Sequence, residues 1–136
     1  MALTYEIGHV MTREIITIDS DAALTAAAEL MIQKEIGSLV VTEQGKMTGI
    51  VTERDILKHF TALGEKTPVR VRTVMSRPLI TVDSGAAIGR AADIMAQKKI
   101  RRLLVTQAEE IVGIVTERDV MRATLDVFNK LADALV

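Results

Sequence analysis

The sequence predicts a mixed α/β (α+β) fold, built as two tandem β-α-β-β-α units packed together with pseudo-two-fold symmetry. Three observations carry this. The seven residues Gly49-Ile-Val-Thr-Glu-Arg-Asp55 recur unchanged 64 positions later as Gly113-Ile-Val-Thr-Glu-Arg-Asp119. The same shift aligns residues 10–55 with 74–119 without a gap, and 25 of those 46 positions are identical. Within each copy, short β-branched runs flank one stretch of helical periodicity. A gapless repeat keeps every internal loop at one length, so the two copies should superimpose. Two copies are fewer than the roughly three that a solenoid needs. A unit of about 60 residues also buries too little surface to stand comfortably alone, so the copies are expected to pack face to face.

Each element follows from local composition. Ile15-Ile16-Thr17-Ile18 is a β-branched strand, stopped by the polar Asp19-Ser20-Asp21, which offers a cap for a helix. Residues 22–34 then read as that helix, with Ala23, Ala26, Ala27, Leu30 and Met31 at three- and four-residue spacing, and Gly37 is available for a left-handed C-cap. Strands at Leu39–Thr42 and Met47–Val51, joined by Glu43-Gln44-Gly45-Lys46, form a hairpin. A second helix runs from Glu53 toward Leu63. The domains are thus read as repeat 1 over 1–63, a Gly- and Pro-containing linker without counterpart in a unit over 64–73, and repeat 2 over 74–136. The last helix, Glu117 to about Leu135, is the longer of the pair. Its Met121, Leu125, Phe128, Ala132 and Leu135 form an apolar stripe, which is either intramolecular core or a subunit interface.

Bulk properties narrow the function classes. Hydrophobic residues make up 49% of the 136 and aromatics only 2% (Tyr5, Phe60 and Phe128), so the core is aliphatic and stacking platforms for nucleic acid are nearly absent. A formal charge of −1 gives no global field toward nucleic acid or anionic membranes. The lack of cysteine excludes disulfides and thiolate chemistry. The N-terminus lacks a signal pattern and no apolar run approaches about 18 residues, so a cytoplasmic protein without a membrane segment is expected.

Thr52-Glu-Arg-Asp55 at a strand-to-helix junction has the form of a capping box. Capping alone does not explain the preceding fixed glycine, which permits a close approach by another backbone or by a ligand. A helix N-terminus is also a ready anion site. Hydroxyl, carboxylate and helix N-terminus together suit a nucleotide: the carboxylate accepts from ribose hydroxyls, while Thr and the amides face phosphate oxygens.

Tandem β-α-β-β-α units that each end in Gly-hydrophobic-x-Thr-x-x-Asp resemble a CBS-domain pair, or Bateman module, over nearly the whole chain, from Val10 to about Ala123. The resemblance implies adenosine ligands (AMP, ADP, ATP or S-adenosylmethionine) in clefts between the units, and a homodimer formed through the second helices. By position, Asp55 and Asp119 would hold ribose hydroxyls, Thr52 and Thr116 would lie by the ribose or phosphates, and Ile50 and Ile114 would flank the base. The partner repeat would complete each cleft: Ile16, Ile36 and Gly37 at the Asp119 site, and Ile80, Ile100 and Arg101 at the Asp55 site. Thr12 and Ser76 are weaker candidates. Where family members often carry Pro in the strand after the first helix, this chain has Val40 and Leu104.

The copies diverge at one place. Lys98-Lys99-Ile100-Arg101-Arg102 stands where the first copy has Lys34-Glu35-Ile36-Gly37-Ser38. The cations are a solvated helix end, or a phosphate contact through Arg101 or Arg102 that makes the two clefts unequal, or a nucleic-acid patch. His9 and His59 lie outside the repeated motifs and do not form a metal site, which needs three or four spaced ligands. No nucleophile–base arrangement is present, so no catalytic residue, catalytic cofactor or metal is expected. The expected function is adenine-nucleotide sensing on behalf of a separate, unidentified effector protein. The alternatives are a structural or interaction module with unoccupied clefts and a nucleic-acid-binding regulator.

Overall fold

A computed structural model of the chain describes residues 5–63 and 68–135. It divides into two compact units, Ile15–Leu79 and Met1–Glu14 with Ile80–Val136. They are called here the Asp55 unit and the Asp119 unit. The Asp55 unit runs β1 (Thr17–Asp19), α1 (Leu24–Lys34), β2 (Ser38–Glu43), β3 (Lys46–Thr52), α2 (Glu53–Leu63) and the short α3 (Val71–Val74). The Asp119 unit holds a 3₁₀ turn at Ile7–His9, then β4 (Thr81–Asp83), α4 (Ile88–Lys98), β5 (Arg102–Gln107), β6 (Glu110–Thr116) and α5 (Glu117–Ala134).

Each unit has a three-stranded sheet, ordered β1-β2-β3 or β4-β5-β6, with the first pair parallel and the hairpin antiparallel. Registers match across the repeat: Val40 faces Ile50 as Leu104 faces Ile114, and both hairpins shift register at the same step, Val41/Thr42 and Val105/Thr106. The cores are aliphatic, as composition requires. Leu24, Met31, Leu39, Val41, Val51 and Val71 fill one; Ile7, Ala91, Met95, Leu103, Val105 and Val115 fill the other.

Compactness divides the chain differently from the repeat boundaries at 1–63 and 74–136. Residues 64–67 of the expected linker lie outside the described residues, but Val69–Met75 are built into the Asp55 unit. Leu24 N donates to Val69 O (2.9 Å), Val71 N to Ala22 O (2.9 Å) and Arg72 N to Ser20 O (3.0 Å), and Val71 is fully buried. The stretch does have a counterpart, at the N-terminus. Ile88 N donates to Tyr5 O (3.1 Å), Ile7 N to Ala86 O (2.8 Å) and Gly8 N to Ser84 O (2.9 Å), and Ile7 is fully buried. The segment leading into each repeat thus packs in the unit formed around the other repeat's sheet.

The same contacts correct the expected helix caps. The first helix begins at Leu24 with Ala23 at its N-cap and no side-chain cap; Asp19 instead accepts from Asp21 N in a local turn. The backbone carbonyls of Val69 and Tyr5 take the place of a capping side chain at α1 and α4. The C-cap is Glu35 rather than Gly37, left-handed at φ 56°, and Lys99 matches it at 57°. The apolar stripe of α5 is not core. Met121, Leu125, Phe128 and Leu135 are exposed, and Ala123 is the buried residue of that helix.

Candidate functional site

The capping boxes form, with the same geometry in both units. Asp55 N donates to Thr52 Oγ1 (3.2 Å) and Thr52 N to Asp55 Oδ2 (2.9 Å); Asp119 N donates to Thr116 Oγ1 (3.2 Å) and Thr116 N to Asp119 Oδ2 (2.9 Å). The cap does not use up the groups. All four side chains remain half-buried. The Oδ1 atoms of Asp55 and Asp119 have no hydrogen-bond partner among the described residues. In the first turn of each helix, the Glu53 amide donates to Gly37 O (3.0 Å) and the Glu117 amide to Arg101 O (2.9 Å). Two of three first-turn amides are thereby used, and those of Arg54 and Arg118 have no partner among the described residues. A carboxylate oxygen and an amide donor therefore stand open together at the positive end of a helix, where an anion is favoured.

The motif glycine is explained by a backbone. A Cβ on Gly49 would come within 2.7 Å of Ser76 O, and one on Gly113 within 2.9 Å of Thr12 O and 2.6 Å of Met11 Sδ. Ile50 and Ser76 exchange both backbone hydrogen bonds (3.0 and 2.8 Å), as do Ile114 and Thr12 (2.9 and 2.8 Å). The incoming segment thus crosses the end of β3 or β6 against the glycine, beside the Thr and Asp.

Of the residues expected at the site, the Asp55 unit gathers Ile16, Ile36, Gly37, Ile50, Thr52, Asp55 and Ser76. The Asp119 unit gathers Thr12, Ile80, Ile100, Arg101, Ile114, Thr116 and Asp119. Gly37 and Arg101 are bound through their carbonyls to the motif of their own repeat, Gly37 O accepting from Glu53 N and Arg101 O from Glu117 N. Val40 and Leu104 are buried, and their amides donate to Ile16 O and Ile80 O, at 3.0 Å each. A proline there has no N–H to give, so this departure adds a ladder bond to the sheet. Sequence reasoning did not find Ser76 and Thr12 as β3 and β6 partners; the spacing of 64 that relates them was the available signal.

Among the described residues no group of three or more His, Asp or Glu is placed to hold a metal ion, and no helix is long and apolar enough to cross a membrane.

This frame, a Thr-x-x-Asp cap at the end of a three-stranded sheet, occurs twice and defines a tandem-repeat module. The family model of the CBS domain matches residues 7–62 and 71–126, and the chain belongs to the CBS-domain family. It is 36% identical over 109 residues to the CBS domain-containing protein YhcV of Bacillus subtilis, covering 80% of this chain and 78% of that one. It is 39% identical over 131 residues to the protein MJ1404 of Methanocaldococcus jannaschii, covering 86% of this chain but only 31% of that longer one. Among solved structures, the CBS domain pair of MJ0100 superimposes with a TM-score of 0.78 at 26% identity, over 88% of this chain and 94% of that one. That pair was crystallised in complex with 5′-methylthioadenosine and S-adenosyl-L-methionine.

Proposed function

We propose that the chain is a regulatory module that senses adenine nucleotides (AMP, ADP or ATP), with S-adenosylmethionine as a related ligand, and passes occupancy to a separate effector protein in the cytoplasm. One observation carries the reading: a capping box, present twice, whose carboxylate keeps Oδ1 unused beside an unpartnered first-turn amide. Asp55 and Asp119 accept from ribose hydroxyls. Thr52, Thr116 and the open amides meet phosphate. Ile16, Ile36 and Ile50 in one unit, and Ile80, Ile100 and Ile114 in the other, offer apolar surface to the base, with Gly37, Ser76, Thr12 and Arg101 at the margins. The adenosine compounds bound to MJ0100 support this ligand class. No residue is assigned a catalytic role, and bound nucleotide leaves unchanged.

Calorimetry with AMP, ADP, ATP and S-adenosylmethionine tests the reading. Wild type binds at least one of them, and Asp55→Ala and Asp119→Ala each weaken or abolish one binding event by about tenfold or more, the scale of a lost charge-assisted hydrogen bond. Each substitution also removes half of a capping box and lowers stability by about 0.5–2 kcal/mol. That loss of stability with no binding in wild type would leave a capping role alone.

The partner surface follows from exposure. Ile32 and Leu57 are exposed on α1 and α2 beside an apolar groove of about 530 Å³ that also takes in Phe60. Met121, Leu125 and Phe128 are exposed on α5. These faces support homodimerisation through the second helices. Sedimentation equilibrium gives a dimer for wild type and a monomer for Leu57→Glu/Phe128→Glu; a wild-type monomer at micromolar concentration rejects the dimer.

A further inference from the structure

Seven large apolar side chains are exposed among the described residues, and five of them lie on α5 or at its C-cap. These are Met121, Leu125, Phe128, Leu131 and Leu135, between 45% and 87% exposed. At roughly 200 Å² for a large apolar side chain, they leave on the order of 600 Å² uncovered. That is the upper end of what a monomer leaves bare, and close to the about 800 Å² per partner of a stable interface. At 3.6 residues per turn, all five fall within about 60° of Phe128 around the helix. No ionisable residue shares that arc between Met121 and Leu135. In the first repeat the positions of Met121 and Leu125 hold Leu57 and Thr61, so the continuous stripe belongs to the second repeat alone.

The stripe is built to meet itself. Its spacings of 4, 3, 3 and 4 residues read the same from either end, with Phe128 at the centre. Arg122 and Asp133 flank one edge of it, six residues before Phe128 and five after, and neither is in an ion pair among the described residues. An antiparallel pair of α5 helices brings Arg122 of each copy level with Asp133 of the other, whereas a parallel pair sets Arg122 level with Arg122. Exposed ion pairs add little affinity, but they fix orientation. A self-complementary surface also needs knob and socket on one patch. Phe128 lines an apolar cavity of about 310 Å³ with Tyr5, Ile88, Gly89, Val127 and Leu131. A Cβ on Gly89 would meet nothing within 4 Å, so the glycine leaves the cavity open where the first repeat has Thr25.

We propose that α5 pairs antiparallel with α5 of a second copy of this chain, about a two-fold axis at Phe128, and that the cavity beside Gly89 receives the second copy's Phe128. This rests on the homodimer proposed above and deepens it, placing the contact on α5 rather than on α2.

Sedimentation equilibrium of the full chain at micromolar concentration reads the association. Wild type and Leu57→Glu are dimers, and Phe128→Glu is a monomer. Gly89→Leu fills the cavity without altering α5 and weakens the dimer about tenfold or more, the scale of a lost interface anchor. Thermal melting confirms that each variant stays folded, since Leu57, Gly89 and Phe128 are all exposed. Orientation is read by spin labels. The chain has no cysteine, so Arg118→Cys carries a single label, ten residues from Phe128. At about 1.5 Å per residue, the two labels of an antiparallel dimer stand about 30 Å apart, and those of a parallel dimer about 10 Å. A dimer that survives Phe128→Glu, one indifferent to Gly89→Leu, or labels about 10 Å apart overturns the assignment while leaving the homodimer intact. A monomeric wild type overturns the homodimer itself.

Discussion

In the Asp55 unit, Thr52 and Asp55 cap α2 at 3.2 and 2.9 Å; in the Asp119 unit, Thr116 and Asp119 cap α5 at the same two distances. The hairpin bulges fall at equivalent steps, and Ser76 and Thr12 pair with Ile50 and Ile114 alike. Away from the motif the units part. α5 runs 18 residues, and α2 is described over 11, up to Leu63. His59 is buried in α2 with Nε2 unpartnered among the described residues, where α5 has the buried Ala123. The hairpin turn is Gln44-Gly45 in one unit and Ala108-Glu109 in the other. The residues held alike are those whose backbone geometry leaves little choice: a glycine under a crossing carbonyl, and a cap that must close on itself. The divergent ones include the exposed turn residues and one buried pair, His59 and Ala123.

The largest expected effect breaks the comparison at the exchanged lead segments. Ile7 and Val71 are fully buried equivalents, each in the core of the unit around the other repeat. Ile7→Ala and Val71→Ala should each cost about 2–4 kcal/mol in urea unfolding, Ile7 the more. A linker residue on the surface would cost almost nothing, so a loss below about 0.5 kcal/mol at Val71 rejects the packing described.

The hairpins give a smaller effect of opposite sign. Two-residue turns of this kind need positive φ at both positions. Gln44 and Gly45 adopt 53° and 78°, and Ala108 and Glu109 adopt 50° and 68°, the latter pair without a glycine. Glu109→Gly should therefore stabilise the protein by about 1 kcal/mol, and Gly45→Glu should destabilise it by a similar amount. Melting temperatures that move the same way in both variants would contradict this.

The smallest effect belongs to the extension of α5. The Tyr5 hydroxyl donates to the Asp126 carboxylate (2.7 Å) and accepts from Lys130. The Tyr5 hydrogen bond first, then Lys130, holds the Asp126 carboxyl below its ordinary value of 3.8. Tyr5 first, then Asp126, raises the Lys130 ammonium above 10.5. A depressed carboxyl contributes stability above its ordinary pKa and loses it as pH falls through the folded value; a raised ammonium contributes below 10.5 and loses it as pH rises further. Tyr5→Phe should thus lower the melting temperature slightly between about pH 5 and 9, and match wild type more closely at acid pH. A difference that grows toward acid pH has the wrong sign.

The elements were legible because their signals are local: β-branched runs for the strands, helical spacing in α1 and α4, and a Thr-x-x-Asp box that forms as written. The lead segments were not. Glu6-Ile7-Gly8 and Arg70-Val71-Arg72 agree only in their central apolar residue, and the bonds that build them in are long-range backbone pairings with no periodicity to announce them. The polar run Asp19-Ser20-Asp21 offered a side-chain cap that distant carbonyls supply instead. At the site, the glycines signalled a close approach but not by what, since Ser76 and Thr12 each belong to the other sequence repeat from the glycine they cover.

Amide chemical-shift mapping with AMP on isotopically labelled protein tests the central claim most directly. Perturbations centred on Thr52–Asp55 or Thr116–Asp119, spreading to Ile50 and Ser76 or to Ile114 and Thr12, are the predicted result, and Asp55→Ala with Asp119→Ala erases them. Shifts confined to the exposed faces of α2 and α5, or none at saturating AMP, ADP and ATP, would contradict it.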